Sequence, residues 1–183
     1  IGVSNTPLIL DFLSKGAKVY ALDRRNREMI GDIADKLENA GAELRLGDGY
    51  LDNLEVDIIF RTPGMNWNLP ELDAARKKGI AVTSEMEVFF DLCPATVFAV
   101  TGSDGKTTTT TLIAKILEAT GKRVFLGGNI GKPLLSQIEE ITPDDFTVLE
   151  LSSFQLHTVN RFENEGLPFA KLTFPHVAVV TNV

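Results

Sequence analysis

The sequence predicts an α/β protein built from two domains with parallel sheets. Short β-branched apolar runs alternate with amphipathic stretches along the chain, the signature of βα units. The alternation restarts midway, after Cys93-Pro94-Ala95, which reads as a linker. The 183 residues, 44% of them hydrophobic, also suffice for one large or two small globular cores.

In the first half, Thr6–Ser14, Arg27–Asn39, Glu71–Lys78 and Glu85–Leu92 read as helices, with Gly16, Gly41 and Gly79 stopping the first three. Val19–Leu22, Glu43–Leu46, Val56–Phe60 and Ala81–Thr83 read as the strands of one sheet. The second half runs strand Val97–Thr101, helix Lys106–Thr120, strand Val124–Leu126 and helix Pro133–Glu139, then strands Thr147–Leu151 and Val177–Thr181. The expected domains are residues 1–93 and 94–183.

Composition excludes several classes. The apolar fraction is too high for a disordered chain. The longest apolar runs, such as Val97–Val100 and Val177–Val180, are strand-length, far short of the ~20 residues of a membrane span. A single cysteine, Cys93, rules out a disulfide scaffold or a Cys-based zinc site within this chain and reads as a small apolar filler. With no signal-peptide pattern, the reducing cytoplasm is the expected compartment. The net charge is −7, from 18 basic and 25 acidic residues, and both halves are acidic, so nucleic acid is not an expected partner. Anions are expected only at dedicated loops. The chain starts at Ile1 without a methionine and stops within an apolar run, so it reads as cut at both ends.

The strongest local signal is Thr101-Gly102-Ser103-Asp104-Gly105-Lys106-Thr107-Thr108, with an apolar strand running in and a helix running out. Glycines let such a loop curl its N–H groups toward phosphate oxygens, helped by the positive end of the helix. Lys106 supplies charge for the β- and γ-phosphates, and Thr107 offers a hydroxyl to Mg²⁺. The first glycine of the full G-x-x-x-x-G-K-[ST] pattern is replaced by Val100, leaving the shorter T-G-x-x-G-K-T form. The alternative, a Gly/Thr-rich turn with an exposed lysine, leaves the coincidence of strand, glycines, Lys-Thr and helix unexplained. A Mg²⁺ site of this kind takes a second ligand from a neighbouring strand end. Glu150 closes an apolar strand and is the candidate, with a helix N-capping role as its alternative. Gly127-Gly128-Asn129-Ile130-Gly131 follows another strand, where α/β sheets present ligand loops.

In the first half, Gly2-Val3-Ser4-Asn5 precedes a helix opening at Thr6-Pro7. Asp23 follows at the spacing of a dinucleotide fold's ribose-binding acid, but the glycine fingerprint is incomplete. Arg24-Arg25 suggest a phosphate or carboxylate ligand, with a solvated charge cluster as the alternative. Arg61-Thr62-Pro63-Gly64 reads as a tight turn.

Together with Glu150-Leu151-Ser152-Ser153-Phe154-Gln155-Leu156, these motifs resemble the Mur ligases of peptidoglycan synthesis along nearly the whole chain. The resemblance implies a Rossmann-like first domain and a partial P-loop ATPase domain. It implies ATP and Mg²⁺ as cofactors, and a reaction in which a carboxylate is phosphorylated and an amino acid's amine then displaces phosphate. By the same resemblance, Lys106 and Glu150 are the catalytic residues. Gly102, Ser103, Asp104, Gly105, Lys106, Thr107 and Thr108 bind ATP, and Thr107 and Glu150 hold the metal. Asn129 contacts the muramoyl-alanine substrate, whose UDP part lies on Val3, Ser4, Asp23, Arg24, Arg25, Thr62, Pro63 and Gly64.

By the same resemblance, the run at 150–156 implies a member that joins D-glutamate to UDP-N-acetylmuramoyl-L-alanine. Another Mur-type amino-acid ligase and a non-catalytic nucleotide-binding module are the alternatives. Thr62 stands where many members have serine, which keeps the hydroxyl. The family's substrate histidine, its carbamylated lysine and the D-glutamate-binding domain are expected beyond Val183. His157 and His176 read as structural or surface residues, Lys171 is not expected to be the carbamylated lysine, and Phe162–Pro175 reads as an apolar bridge with no assigned function.

Overall fold

The computed structural model describes residues 1–2, 5–131, 133–159 and 175–182. These form an α/β protein whose strand pairs are all parallel. The chain divides into two compact units, Ile1–Glu85 and Met86–Val183. The division falls at the start of α5 (Glu85–Leu92), and Cys93-Pro94-Ala95 is the short link from α5 to β5 (Thr96–Thr101).

The first unit runs α1 (Asn5–Ser14), β1 (Tyr20–Asp23), α2 (Arg27–Ile30), α3 (Asp32–Asn39), β2 (Glu43–Leu46), β3 (Ile58–Phe60), α4 (Pro70–Lys77) and β4 (Ala81–Thr83). Two expectations fail here. The helix expected over 27–39 is broken at Gly31, whose φ of 62° an L side chain adopts poorly, so α2 and α3 are separate. The single sheet is also absent: β1 pairs only with β2, and β3 only with β4, among the described residues. Each ladder has its own core. Ile9, Ala21, Leu37 and Ala42 cluster around the first, and Leu51, Leu54, Ile59, Trp67, Leu72, Ala75 and Val82 around the second. Hydrophobic alternation specifies which face of a strand is buried but not which edge it pairs with, so the gap between β1 and β3 was not legible.

The second unit runs β5, α6 (Lys106–Glu118), β6 (Val124–Gly128), a 3-10 helix (Leu135–Glu140), β7 (Phe146–Glu150), α7 (Ser153–Val159) and β8 (Val177–Val180). Its four-stranded sheet has the order β6-β7-β5-β8, and α6 packs on β5, β6 and β7. The α-helix expected over 133–139 is 3-10 instead, with Gln137 N–H donating to Leu134 O and Ile141 N–H to Ile138 O. Short helices settle for such i→i+3 bonds. Val97, Val100, Val148 and Leu149 are buried in the central strands, as parallel sheets require. His176 is structural: its Nδ1 accepts the Val97 N–H at 3.0 Å, just before the β5–β8 ladder begins. Lys171 and most of the 162–175 bridge lie outside the described residues.

Candidate functional site

Open parallel sheets bind ligands beyond the carboxyl ends of their strands, and the second unit gathers its chemistry there. Register alone aligns the ends of three strands, with the expected Glu150 among them. Val100 in β5 and Gly128 in β6 both lie opposite Glu150 in β7, so the phosphate loop, the glycine turn and the carboxylate share one sheet end. Backbone bonds lock this arrangement: Leu151 N–H donates to Val100 O at 2.8 Å, and Asn129 N–H to Glu150 O at 2.7 Å. Gly128 is obligatory, because its φ is 95° and a Cβ there would overlap the Glu150 carbonyl oxygen.

The loop Gly102–Gly105 curls with Gly102 at φ 138° and Gly105 at φ 75°, delivering the chain into α6 at Lys106. Ser103, Asp104, Thr107 and Thr108 are exposed, as a ligand cradle must be. The Lys106 Nζ folds back to donate to Gly102 O at 2.7 Å and Ser103 O at 2.9 Å. Buried Thr110 donates its hydroxyl to Lys106 O at 2.7 Å, securing the first turn of α6.

Glu150 is 2% exposed, and both its oxygens are engaged. Thr107 Oγ1 donates to Oε2 at 2.7 Å, and Asn129 Nδ2 to Oε1 at 3.0 Å. Desolvating a carboxylate for two neutral donors is costly and suits a site meant for a cation. Two hard oxygens from Thr107 and Glu150, side by side at the mouth of a phosphate loop, fit Mg²⁺, which takes few protein ligands and shares the rest with phosphate and water. The capping alternative fails. Ser152 caps α7 in a reciprocal box, its Oγ accepting Gln155 N–H while its own N–H donates to Gln155 Oε1 at 2.9 Å.

In the first unit, a cavity of about 980 Å³ lies between the two ladders, and Asp23, Arg24, Thr62 and Gly64 are among its lining residues. Asn5 Nδ2 donates to Phe60 O at 3.2 Å, at the end of β3. Asp23 is gripped by Arg25, with Nε on Oδ1 at 3.0 Å and Nη2 on Oδ2 at 2.8 Å. Burial alone would raise the Asp23 carboxyl, but its bonds from Arg25 hold it below its usual range. Arg61 is 1% exposed beneath the Thr62-Pro63-Gly64 turn, its guanidinium over the Trp67 ring at 5.2 Å.

Residues 100–183 match the Mur ligase middle domain. The whole chain is 53% identical to a UDP-N-acetylmuramoylalanine--D-glutamate ligase of Acetivibrio thermocellus, covering 37% of it. It is 51% identical to the protein of that name from Clostridium kluyveri, again along the whole chain and over 38% of the relative. The chain is similar to Mur ligases along its whole length. It spans a little over a third of the length of these curated relatives. Among solved structures, a UDP-N-acetylmuramate:L-alanyl-gamma-D-glutamyl-meso-diaminopimelate ligase from Neisseria meningitides superposes with a TM-score of 0.55 at 19% identity, over 100% of this chain and 58% of that one, a likeness of fold.

The structure brings together Lys106, Thr107, Glu150 and Asn129, and separately Asp23, Arg24, Arg25, Thr62 and Gly64. Pro63 shapes the turn without lining the cavity. Val3 and Ser4 lie outside the described residues. The burial of Arg61, read from sequence only as part of the turn, had no signal there. Sequence reasoning missed the Ser152–Gln155 box, whose S-x-x-Q spacing was a readable one.

Proposed function

We propose that this chain forms the UDP-sugar-binding and ATP-binding parts of an ATP-dependent ligase that joins D-glutamate to UDP-N-acetylmuramoyl-L-alanine in peptidoglycan synthesis. The observation that carries this reading is the Lys106–Thr107–Glu150 constellation at one sheet end, within a chain 53% identical to a relative so named. Residues 94–183 take ATP, and residues 1–93 take the uridine nucleotide in the cavity lined by Asp23, Arg24, Thr62 and Gly64. A cytoplasmic location suits a reaction that consumes ATP.

In the proposed reaction, a carboxylate oxygen of the alanyl substrate attacks the γ-phosphorus. The bond to the leaving ADP breaks, and an acyl phosphate forms. The amine of D-glutamate then attacks the acyl carbon, inorganic phosphate departs and a proton leaves the nitrogen. When bound, Mg²⁺ offsets charge on the phosphate oxygens, and Thr107 and Glu150 would hold it. Lys106 releases Gly102 O and Ser103 O to meet the charge that develops on the transferring group. Asn129 is exposed and anchored by Glu150, and it would contact the muramoyl-alanine end of the substrate.

The test is phosphate release by the full-length protein carrying this chain. ADP and phosphate should appear only when UDP-N-acetylmuramoyl-L-alanine and D-glutamate are both present. Efficient use of L-lysine, diaminopimelate or L-alanine in place of D-glutamate would make it another Mur-type ligase.

A further inference from the structure

We infer that Asn182, together with Thr181, is a positioning residue that holds the phosphate loop in its nucleotide-ready curl. The inference rests on the ATP-site reading above and assigns a further residue to it. The Asn182 side-chain oxygen accepts two successive loop N–H groups, Ser103 at 2.7 Å and Asp104 at 2.9 Å. Thr181 grips the same loop from its other side. Its N–H donates to Thr101 O at 2.9 Å and its hydroxyl to Asp104 O at 2.6 Å.

Sheet order explains how two residues almost eighty positions downstream arrive there. Thr101 pairs with Val180 in the β5–β8 ladder, so the chain leaving β8 emerges beside the loop leaving β5. The approach is close enough that a Cβ on Gly102 would overlap Thr181 Oγ1, which gives that glycine a packing reason besides its φ of 138°. An exposed glycine loop has many conformations to lose, and each bond that fixes it beforehand lowers the cost of ordering it around a ligand. Adjacent N–H groups that converge on one point form a concavity for an anionic oxygen. With a neutral carboxamide taking the pair at the tip, the opening N–H groups of α6, which have no partner within the helix, are left to the phosphates.

The experiment is steady-state kinetics of the full-length protein with ATP varied at saturating UDP-N-acetylmuramoyl-L-alanine and D-glutamate. Asn182→Ala should raise the KM for ATP roughly tenfold, the effect of losing two modest hydrogen bonds. The KM for the uridine substrate should not move, and the melting temperature without nucleotide should fall by only a few degrees. Thr181→Val keeps the branched shape, removes the hydroxyl, and should shift the KM for ATP in the same direction by less. It decides the matter if the alanine variant does not fold. An unchanged KM for ATP overturns the inference. So does a lowered one, which would mean that the carboxamide competes with phosphate, and so does a parallel loss of every constant and of melting temperature. Lys106→Ala is run alongside. If it retains turnover, the ATP-site reading itself fails, whatever Asn182 does.

Discussion

Lys106 and Arg25 are both cations in proposed anion sites, yet their removal should read out differently. In the proposed reaction Lys106 acts on charge that grows during phosphoryl transfer, so Lys106→Ala should lower turnover by orders of magnitude with the melting temperature preserved, a loss of several kcal/mol from the barrier. In the same proposal Arg25 contributes ground-state binding away from the reacting carboxylate. Its loss should mainly raise the KM for the uridine substrate. Because Arg25 also grips Asp23 through both carboxylate oxygens, Arg25→Lys should not restore the wild-type KM, since an ammonium cannot reproduce that fork.

A third residue makes a pH prediction. Asp145 is bonded by Arg123 at 3.0 Å and 2.6 Å and by the Thr142 N–H at 2.7 Å. The Arg123 bonds outweigh the opposing effect of burial and, with Thr142, hold the carboxyl far below the carboxylate range. A depressed folded-state pKa contributes stability above the unfolded value and loses it as pH falls toward the folded one. Asp145→Asn should therefore melt lower than the parent at pH 7, and the difference should shrink below about pH 4 in a melting series.

At the scale of elements, the glycine turn after β6 offers a controlled comparison. Gly121 and Gly128 both have positive φ, 81° and 95°, but only Gly128 faces a backbone carbonyl at contact. Gly121→Ala should cost about 1–2 kcal/mol from conformation alone. Gly128→Ala should cost more, because the added carbon must push β6 away from Glu150 and so disturb Asn129 as well. Urea midpoints of the two variants, compared at equal slope, check the ordering. The α7 start makes a milder case: Ser152→Ala removes one half of the capping box and should cost about 0.5–2 kcal/mol.

For the molecule as a whole, the two units predict separable behaviour. The 183-residue polypeptide should bind UDP-N-acetylmuramoyl-L-alanine by calorimetry, since Asp23, Arg24, Thr62 and Gly64 lie together within the first unit. It should show no D-glutamate-dependent phosphate release, because acyl transfer needs both substrates in near-attack geometry and no residue of this chain is assigned to D-glutamate. Measurable turnover from this polypeptide would place the acceptor site within it.

The phosphate loop was legible because its chemistry is local: strand, glycines, Lys106, Thr107 and helix follow one another within a dozen residues. Glu150 was legible as a carboxylate closing an apolar run, and the parallel α/β class followed from alternation. What the order of residues did not reveal is everything set by which strand lies beside which. The Val100–Glu150–Gly128 alignment, the separation of β1–β2 from β3–β4, and the meeting of Asn182 with Ser103 are all matters of edge pairing. Hydrophobic periodicity encodes the type of an element and its buried face, quantities repeated every two to four residues. A strand's neighbour depends on crossovers tens of residues long, and only the packed sheet resolves that choice.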